Sequence, residues 1–243
     1  MITLPSIWTV NLDDRCRQTE IMEEPDVNPE QHWEALRALE RINAVSHRDR
    51  LLWKHLSNFA LINGRKPLRV LDIATGGGDL PVGLWHRAKE ANAAMFFDGC
   101  DCSEQALVYA RRQAERNHAH VRFFQHDALN GPLPEGYDIA ISSLFLHHLD
   151  GPQVISFLRN LRQSVRLGIL MYDLQRIYAG YLLAYFGTRV LTRSPMVHID
   201  GPLSVRAAFT VDEIQKLARQ AGLEGACVRR VFPVRMLLSW RRP

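Results

Sequence analysis

A tandem pair of histidines, His147-His148, follows the apolar run Tyr137 to Ser142, and an aspartate closes a later apolar run, Leu167 to Asp173. A neutral imidazole within hydrogen-bond reach can take the proton of a phenol, whose pKa in water is about 10, and a carboxylate behind the ring fixes its orientation. His148 is the preferred candidate base and His147 the alternative. Asp173 is placed to orient a histidine or bind a substrate hydroxyl, with Arg176 one short turn on. The same residues also suit plain structural duties: a histidine satisfying a backbone carbonyl, a solvated histidine, and a helix-capping aspartate beside a surface arginine.

A second chemical feature lies upstream, where Val70-Leu71-Asp72-Ile73 runs into Ala74-Thr75-Gly76-Gly77-Gly78-Asp79. A glycine-rich turn after a strand lets the backbone approach a ligand closely. A dinucleotide site needs a further glycine five positions after the first, and counted from Gly76 that position is Pro81. Asp79, read as the N-cap of the next helix, would compete with a phosphate for the free N–H groups but would tolerate a cation. The pattern therefore favours S-adenosylmethionine, which has no phosphate. Asp101, in Asp98-Gly99-Cys100-Asp101-Cys102-Ser103, closes the following strand where an acid reaches ribose hydroxyls. In His126-Asp127-Ala128, Asp127 is placed to accept from an adenine amino group while apolar neighbours cover the ring.

Over residues 67–175 these features resemble the class I S-adenosylmethionine-dependent methyltransferases, whose first motif reads hydrophobic-Leu-Asp-x-Gly-x-Gly-x-Gly. Asp72, Gly76 and Gly78 match, and Ala74 stands where the family has its first glycine. The segment Tyr137 to Leu149 is similar to the fourth-strand region of small-molecule methyltransferases, where residues just past the strand sit beside the methyl group. The resemblance implies cofactor contacts from Asp72, Ala74, Gly76, Gly78, Asp101, Cys102, Asp127, Ala128 and Ser142, and no metal. It also implies the strand order 3-2-1-4-5-7-6 with only the seventh strand antiparallel. A looser likeness of the N-terminal helix, the histidine pair and residues 173–208 points to the aromatic polyketide or quinone branch.

The elements that must hold these residues alternate strand and helix. Strands are expected at Leu68–Ile73, Met95–Asp101, Val121–Gln125, Tyr137–Ser142 and Leu167–Asp173, with helices at Leu80–Ala91, Ser103–Asn117 and Gly151–Val165. Such alternation implies crossovers and an α/β, doubly wound, mostly parallel Rossmann-like sheet of seven strands. Pro29 to Leu61 reads as one helix from Trp33, Leu36, Leu39, Ile42 and Val45, giving an N-terminal helical cap over residues 1–66 and a catalytic domain over 67–243. Thr210-Val211-Asp212-Glu213 is a capping box, and Ala226 to Trp240, interrupted at Pro233, reads as two closing strands. Between them a helix rich in aromatics, Ile177 to Phe186, and a loop, Thr192 to Ala208, form an expected lid at about residues 174–208, or simply more core.

With 243 residues, 47% of them hydrophobic, the chain can bury a sizeable core. A net charge of +4, spread without a basic block, argues against an RNA-methylating enzyme, the first alternative. A non-catalytic protein of the same fold is the second. Four cysteines without metal-ligand spacing and an acidic N-terminal region suit a reduced cytoplasmic protein. The run Ile177 to Val190 is too short to span a bilayer, so stable membrane insertion is not expected, and a membrane-surface role would show as liposome binding. The expected reaction is methylation of an oxygen, less readily a carbon, of a hydrophobic aromatic or polyketide-like small molecule.

Overall fold

A computed structural model describes residues 7, 9–24 and 27–243. Two helices come first, α1 (Pro29–Ser46) and α2 (Arg48–Ile62). The alternating part follows as β1 (Leu68–Ile73), α3 (Asp79–Glu90), β2 (Met95–Asp101), α4 (Glu104–Arg116), β3 (Val121–Gln125), β4 (Tyr137–Ser143), α5 (Gly151–Ser164) and β5 (Val165–Leu174). Then come α6 (Tyr178–Leu191), α7 (Pro195–Ala207), α8 (Val211–Gln220), β6 (Cys227–Val231) and β7 (Arg235–Arg241). One sheet holds all seven strands in the order β3-β2-β1-β4-β5-β7-β6. Every pairing is parallel except those of β7 with β5 and β6, as the family resemblance implied.

Because both faces of the sheet are covered, its central strands are apolar nearly throughout, and alternate side chains enter two different cores. Leu71, Ile73, Ala140, Ile169 and Met171 pack with Val154, Phe157 and Leu161 of α5 and Ile214 of α8. On the other face Leu68, Val70, Ile139, Leu170 and Tyr172 pack with Leu80 and Leu84 of α3 and with Leu52, Leu56 and Phe59 of α2. Each of these large aliphatic or aromatic side chains gains about 1.5–3 kcal/mol on burial. Gly168 sets how close α2 comes to β5: a Cβ there would lie 2.5 Å from both Phe59 Cζ and the Trp240 carbonyl oxygen. A residue larger than glycine at 168 would push α2 off the sheet.

Two sequence expectations are corrected. The single helix over Pro29–Leu61 is broken at His47, which adopts a left-handed φ of 49°. An unbroken helix of that length would run about 50 Å at 1.5 Å per residue, so it could not stay on the domain. The break lets α2 lie on the sheet while α1 crosses to Ala106 and Tyr109 of α4, and to Met196 and Val197 of α7. The expected loop Thr192–Ala208 contains helix α7, hidden in sequence by Gly201 and Pro202 at its centre. Pro202 has no N–H for the His198 carbonyl, which instead accepts from Arg189 Nη1 at 3.4 Å. Gly201 sits under α6, where a Cβ would lie 2.8 Å from Thr188 Cγ2. The capping box at the start of α8 is present: Glu213 N–H donates to the Thr210 hydroxyl at 3.2 Å, and Thr210 N–H to Glu213 Oε2 at 2.7 Å.

Candidate active site

The carboxyl ends of β1, β2, β4 and β5 share one edge of the sheet, the side on which α/β folds bind ligands. At β1 the chain turns through three left-handed residues, Ala74 (φ 54°), Gly76 (53°) and Gly78 (75°). Ala74 adopts the strained conformation of the glycine it replaces, a cost of about 1–2 kcal/mol. Gly78 is glycine for packing, since a Cβ would lie 2.8 Å from both Ala110 Cβ and Phe123 Cζ. Gly76 differs, because a Cβ built there meets nothing within 4 Å. The Asp101 carboxylate accepts from Gly76 N–H at 2.8 Å and from Ser103 N–H at 2.9 Å, tying the loop to the end of β2.

Beneath the loop, Asp72 is 2% exposed. One of its oxygens accepts from the Thr75 hydroxyl at 2.7 Å, and the other is buried without a partner. Burial pushes this carboxyl up to about 7, with Asp79 and Asp101 adding to the rise and Thr75 and Arg48 opposing it. Asp79 is the first residue of α3, not its N-cap, and its side chain caps nothing. Its carboxylate is held instead by Arg48 of α2 in a buried ion pair and by Asn43 of α1 at 3.2 Å. Arg48 also donates to the Ser143 hydroxyl at 2.8 Å. With Asp79 paired to Arg48, the carboxylates of Asp72 and Asp101 favour a cationic, phosphate-free ligand.

Arg48, Asn43 and His32 are the site residues that the sequence did not reveal. His32, on α1, is buried with Nδ1 unpartnered. Burial lowers its pKa against the opposing charge of Asp101. The only sequence trace of Arg48 is a charge on the sheet-facing side of a helix. Of the remaining expected contacts, Asp101 and Asp127 both bear on the Cys102 thiol, raising its pKa together with burial. Asp127 is exposed, and its carboxylate closes its own turn, accepting from Leu129 N–H at 2.9 Å and Asn130 Nδ2 at 2.8 Å. Ala128 is part of the core. The buried Ser142 hydroxyl donates to the Ile73 carbonyl at 2.7 Å, locking the ends of β4 and β1 together.

At the ends of β4 and β5 a different cluster forms around the histidine pair. His147 is 3% exposed, and its Nδ1 lies 2.6 Å from Asp173 Oδ1. Its Nε2 faces Glu20 Oε1 at 3.7 Å, an ion pair too long for a hydrogen bond. Burial alone would depress the imidazolium, but Asp173 and Glu20 override it and raise His147 to about 10. Burial likewise works against the ionised forms of Glu20 and Asp173, yet His147 holds both below the usual carboxylate range. His148 is partly open to solvent, and its Nδ1 lies 2.8 Å from Glu23 Oε1.

Glu20 and Glu23 belong to an N-terminal strap, residues 9–24, pinned along this edge. Arg15 donates to the His147 carbonyl at 2.7 Å, and Arg17 to the His148 carbonyl at 2.8 Å. The Ile21 and Met22 N–H groups donate to Asp200 of α7 at 2.9 and 3.1 Å, and the Ser204 hydroxyl donates to Glu20. Arg176, read from sequence as substrate-side or superficial, is buried and structural. It donates to both Glu213 oxygens at 2.9 and 2.7 Å and to the Leu12 carbonyl at 2.9 Å. Glu20, His147 and His148 offer three ligand atoms within 4.8 Å of one another, a spacing open to a divalent cation, although each imidazole already faces a carboxylate.

The seven-stranded order with its reversed last hairpin and glycine turn is the fold of S-adenosylmethionine-dependent methyltransferases. Residues 70–168 match the family described as a methyltransferase domain. The chain is 41% identical over 81 residues to a demethylmenaquinone methyltransferase of Thermus thermophilus, covering 33% of this chain and about a third (35%) of that protein. An uncharacterised methyltransferase of Mycobacterium tuberculosis is 27% identical over 194 residues, 76% of this chain and 93% of its own. Among solved structures, the plantazolicin methyltransferase BamL superposes with a TM-score of 0.65 at 19% identity, over 88% of this chain and 91% of its own. Human N-acetylserotonin methyltransferase gives 0.63 at 16% identity, over 88% and 56%. Among the described residues no helix is long and apolar enough to cross a membrane.

Proposed function

We propose that this chain transfers a methyl group from S-adenosylmethionine to a phenolic or quinol-type oxygen, or less readily a ring carbon, of a hydrophobic aromatic small molecule. The observation that carries the reading is the buried Asp72 carboxylate, with one oxygen unpartnered, beneath the open turn at Gly76. These residues fit the cofactor: Asp101 retains acceptor capacity for ribose hydroxyls, and Asp72, with its unpartnered oxygen, favours a positive ligand group. When bound, the cofactor supplies a methyl already activated by the sulfonium, so the protein's part is alignment and proton removal.

His148 is our candidate base. Glu23 beside its Nδ1 fixes the ring, which leaves Nε2 to accept a proton from a substrate hydroxyl. His147, clamped on both ring nitrogens, positions its neighbour and the strap, with Asp173 orienting its ring. Helices α1, α6 and α7 are the cover under which an apolar substrate would lie, while α2 packs on the sheet. The similar proteins include methyltransferases of demethylmenaquinone, of plantazolicin and of N-acetylserotonin, which supports a small-molecule substrate. All four cysteines are unpaired, in keeping with a cytoplasmic enzyme.

The test is calorimetric titration with S-adenosylhomocysteine beside NADH. Micromolar binding of the former alone supports the reading and opens a screen of phenols and quinols. Binding of NADH, or of neither ligand, overturns it.

A further inference from the structure

Helix α6 contains no acidic residue, and its outward stripe is apolar: Leu183 is 46% exposed, Phe186 51% and Val190 83%. Residues spaced by three and four share one helix face, so these form a continuous ridge where a solvent-facing helix would normally be charged. Val190 also lines a cleft of about 620 Å³ between the end of α6 and α1, whose walls carry Arg37, Arg41, Arg189 and Arg193 against a single acid, Glu34. Among the described residues none of these four guanidinium groups forms an ion pair. Arg189 lies 3.8 Å over the Tyr185 ring and donates to the Tyr185 carbonyl at 2.5 Å, which keeps its charge beside the ridge.

We infer that this face docks on an anionic lipid surface, with Leu183, Phe186 and Val190 entering the boundary between headgroups and acyl chains and the four arginines meeting lipid phosphates. An apolar ridge flanked by unneutralised arginines is the composition of an interfacial helix. At 14 residues α6 is too short to span a bilayer, so the attachment is peripheral. A second copy of the chain fits less well, because a two-fold contact through α6 brings one basic cleft against the other. The docked surface includes α6 and α1, so a lipophilic substrate would reach the cover directly from the bilayer. The docking itself does not depend on methyl transfer.

The test is co-sedimentation of the full chain with vesicles of phosphatidylglycerol and phosphatidylcholine, compared with vesicles of phosphatidylcholine alone. Binding is expected to the anionic vesicles only, weakening by about tenfold or more as salt rises from roughly 0.05 to 0.5 M. Arg37→Gln/Arg41→Gln/Arg189→Gln/Arg193→Gln should weaken partitioning by about 1000-fold, and Phe186→Ser/Val190→Ser by about 100-fold, both keeping the wild-type melting temperature. If a variant fails to fold, the salt series on the unmodified chain still decides. No partitioning, partitioning indifferent to headgroup charge and salt, or a dimer in sedimentation velocity that Phe186→Ser abolishes would each overturn the inference.

Discussion

The ends of β1 and β2 and the ends of β4 and β5 open on the same edge of the sheet, yet they are assembled in opposite ways. At the first pair, the main groups lie within about 30 residues of chain and are positioned by backbone: left-handed turns at Ala74, Gly76 and Gly78, and an Asp101 carboxylate on Gly76 N–H. At the second pair, His147 is held by Asp173, 26 residues further on, and by Glu20 of the N-terminal strap, 127 residues before it. Locally encoded geometry leaves a site open to a ligand, as the space over Gly76 shows. Geometry encoded at long range closes one, since a buried charge must be paired from wherever a partner can come.

If this contrast holds, mutations should separate chemistry, stability and cofactor binding. The largest effect is expected at His148→Gln, which should lower kcat by about 10²–10⁴ while changing S-adenosylhomocysteine affinity by less than about threefold. Stopped turnover with intact affinity marks a base, whereas loss of both would make His148 part of the cofactor site. Next, His147→Ala should cost about 3–5 kcal/mol by leaving Glu20 and Asp173 unpaired, and lower Tm by roughly 10 °C. An unchanged melting curve would show that the strap is not held by this cluster. Asp101→Ala should weaken S-adenosylhomocysteine about 100-fold, from two lost hydrogen bonds to a charged group at about 1.5–3 kcal/mol each, offset in part by loop relaxation. Wild-type affinity by calorimetry would remove Asp101 from the site.

The smallest effects are in pH, and they run in opposite directions in the two regions. His147 is raised from 6.5 to about 10, so its contribution to stability is complete below 6.5 and is lost as pH climbs through about 10. Tryptic cleavage at Arg15 and Arg17 should therefore be flat below about pH 6.5 and accelerate progressively as pH rises from there toward about 10. Asp72 is raised from 3.8 to about 7, and a cationic ligand favours its ionised form. Cofactor affinity should thus fall as pH drops below 7, by up to about tenfold per unit, and Asp72→Asn should flatten that slope.

What could be read in advance follows the same division. The strands were legible because a buried parallel strand is a short apolar run, and β1, β2 and β3 begin and end where such runs do, whereas their order in the sheet came only from the family resemblance. Gly76 and Asp101 were each legible because strand-end position follows directly from strand assignment, but the hydrogen bond that joins them was not. Helix α7 was not legible, since Gly201 and Pro202 lower local helix propensity and only the close approach to Thr188 explains the glycine. The break at His47 carries no local signal either, because it is imposed by where α1 and α2 must pack.

The amino-acid sequence by itself determined the sheet, the glycine turn and the acids at the strand ends, since periodicity and turn chemistry act between near neighbours. Only the tertiary structure decided that Arg48 neutralises Asp79, that Glu20 and Glu23 reach the two histidines, and that Arg176 is a staple for Glu213. Each is an electrostatic pairing between different elements of the fold. Burial determines which charges must be paired, and the path of the folded chain determines with what.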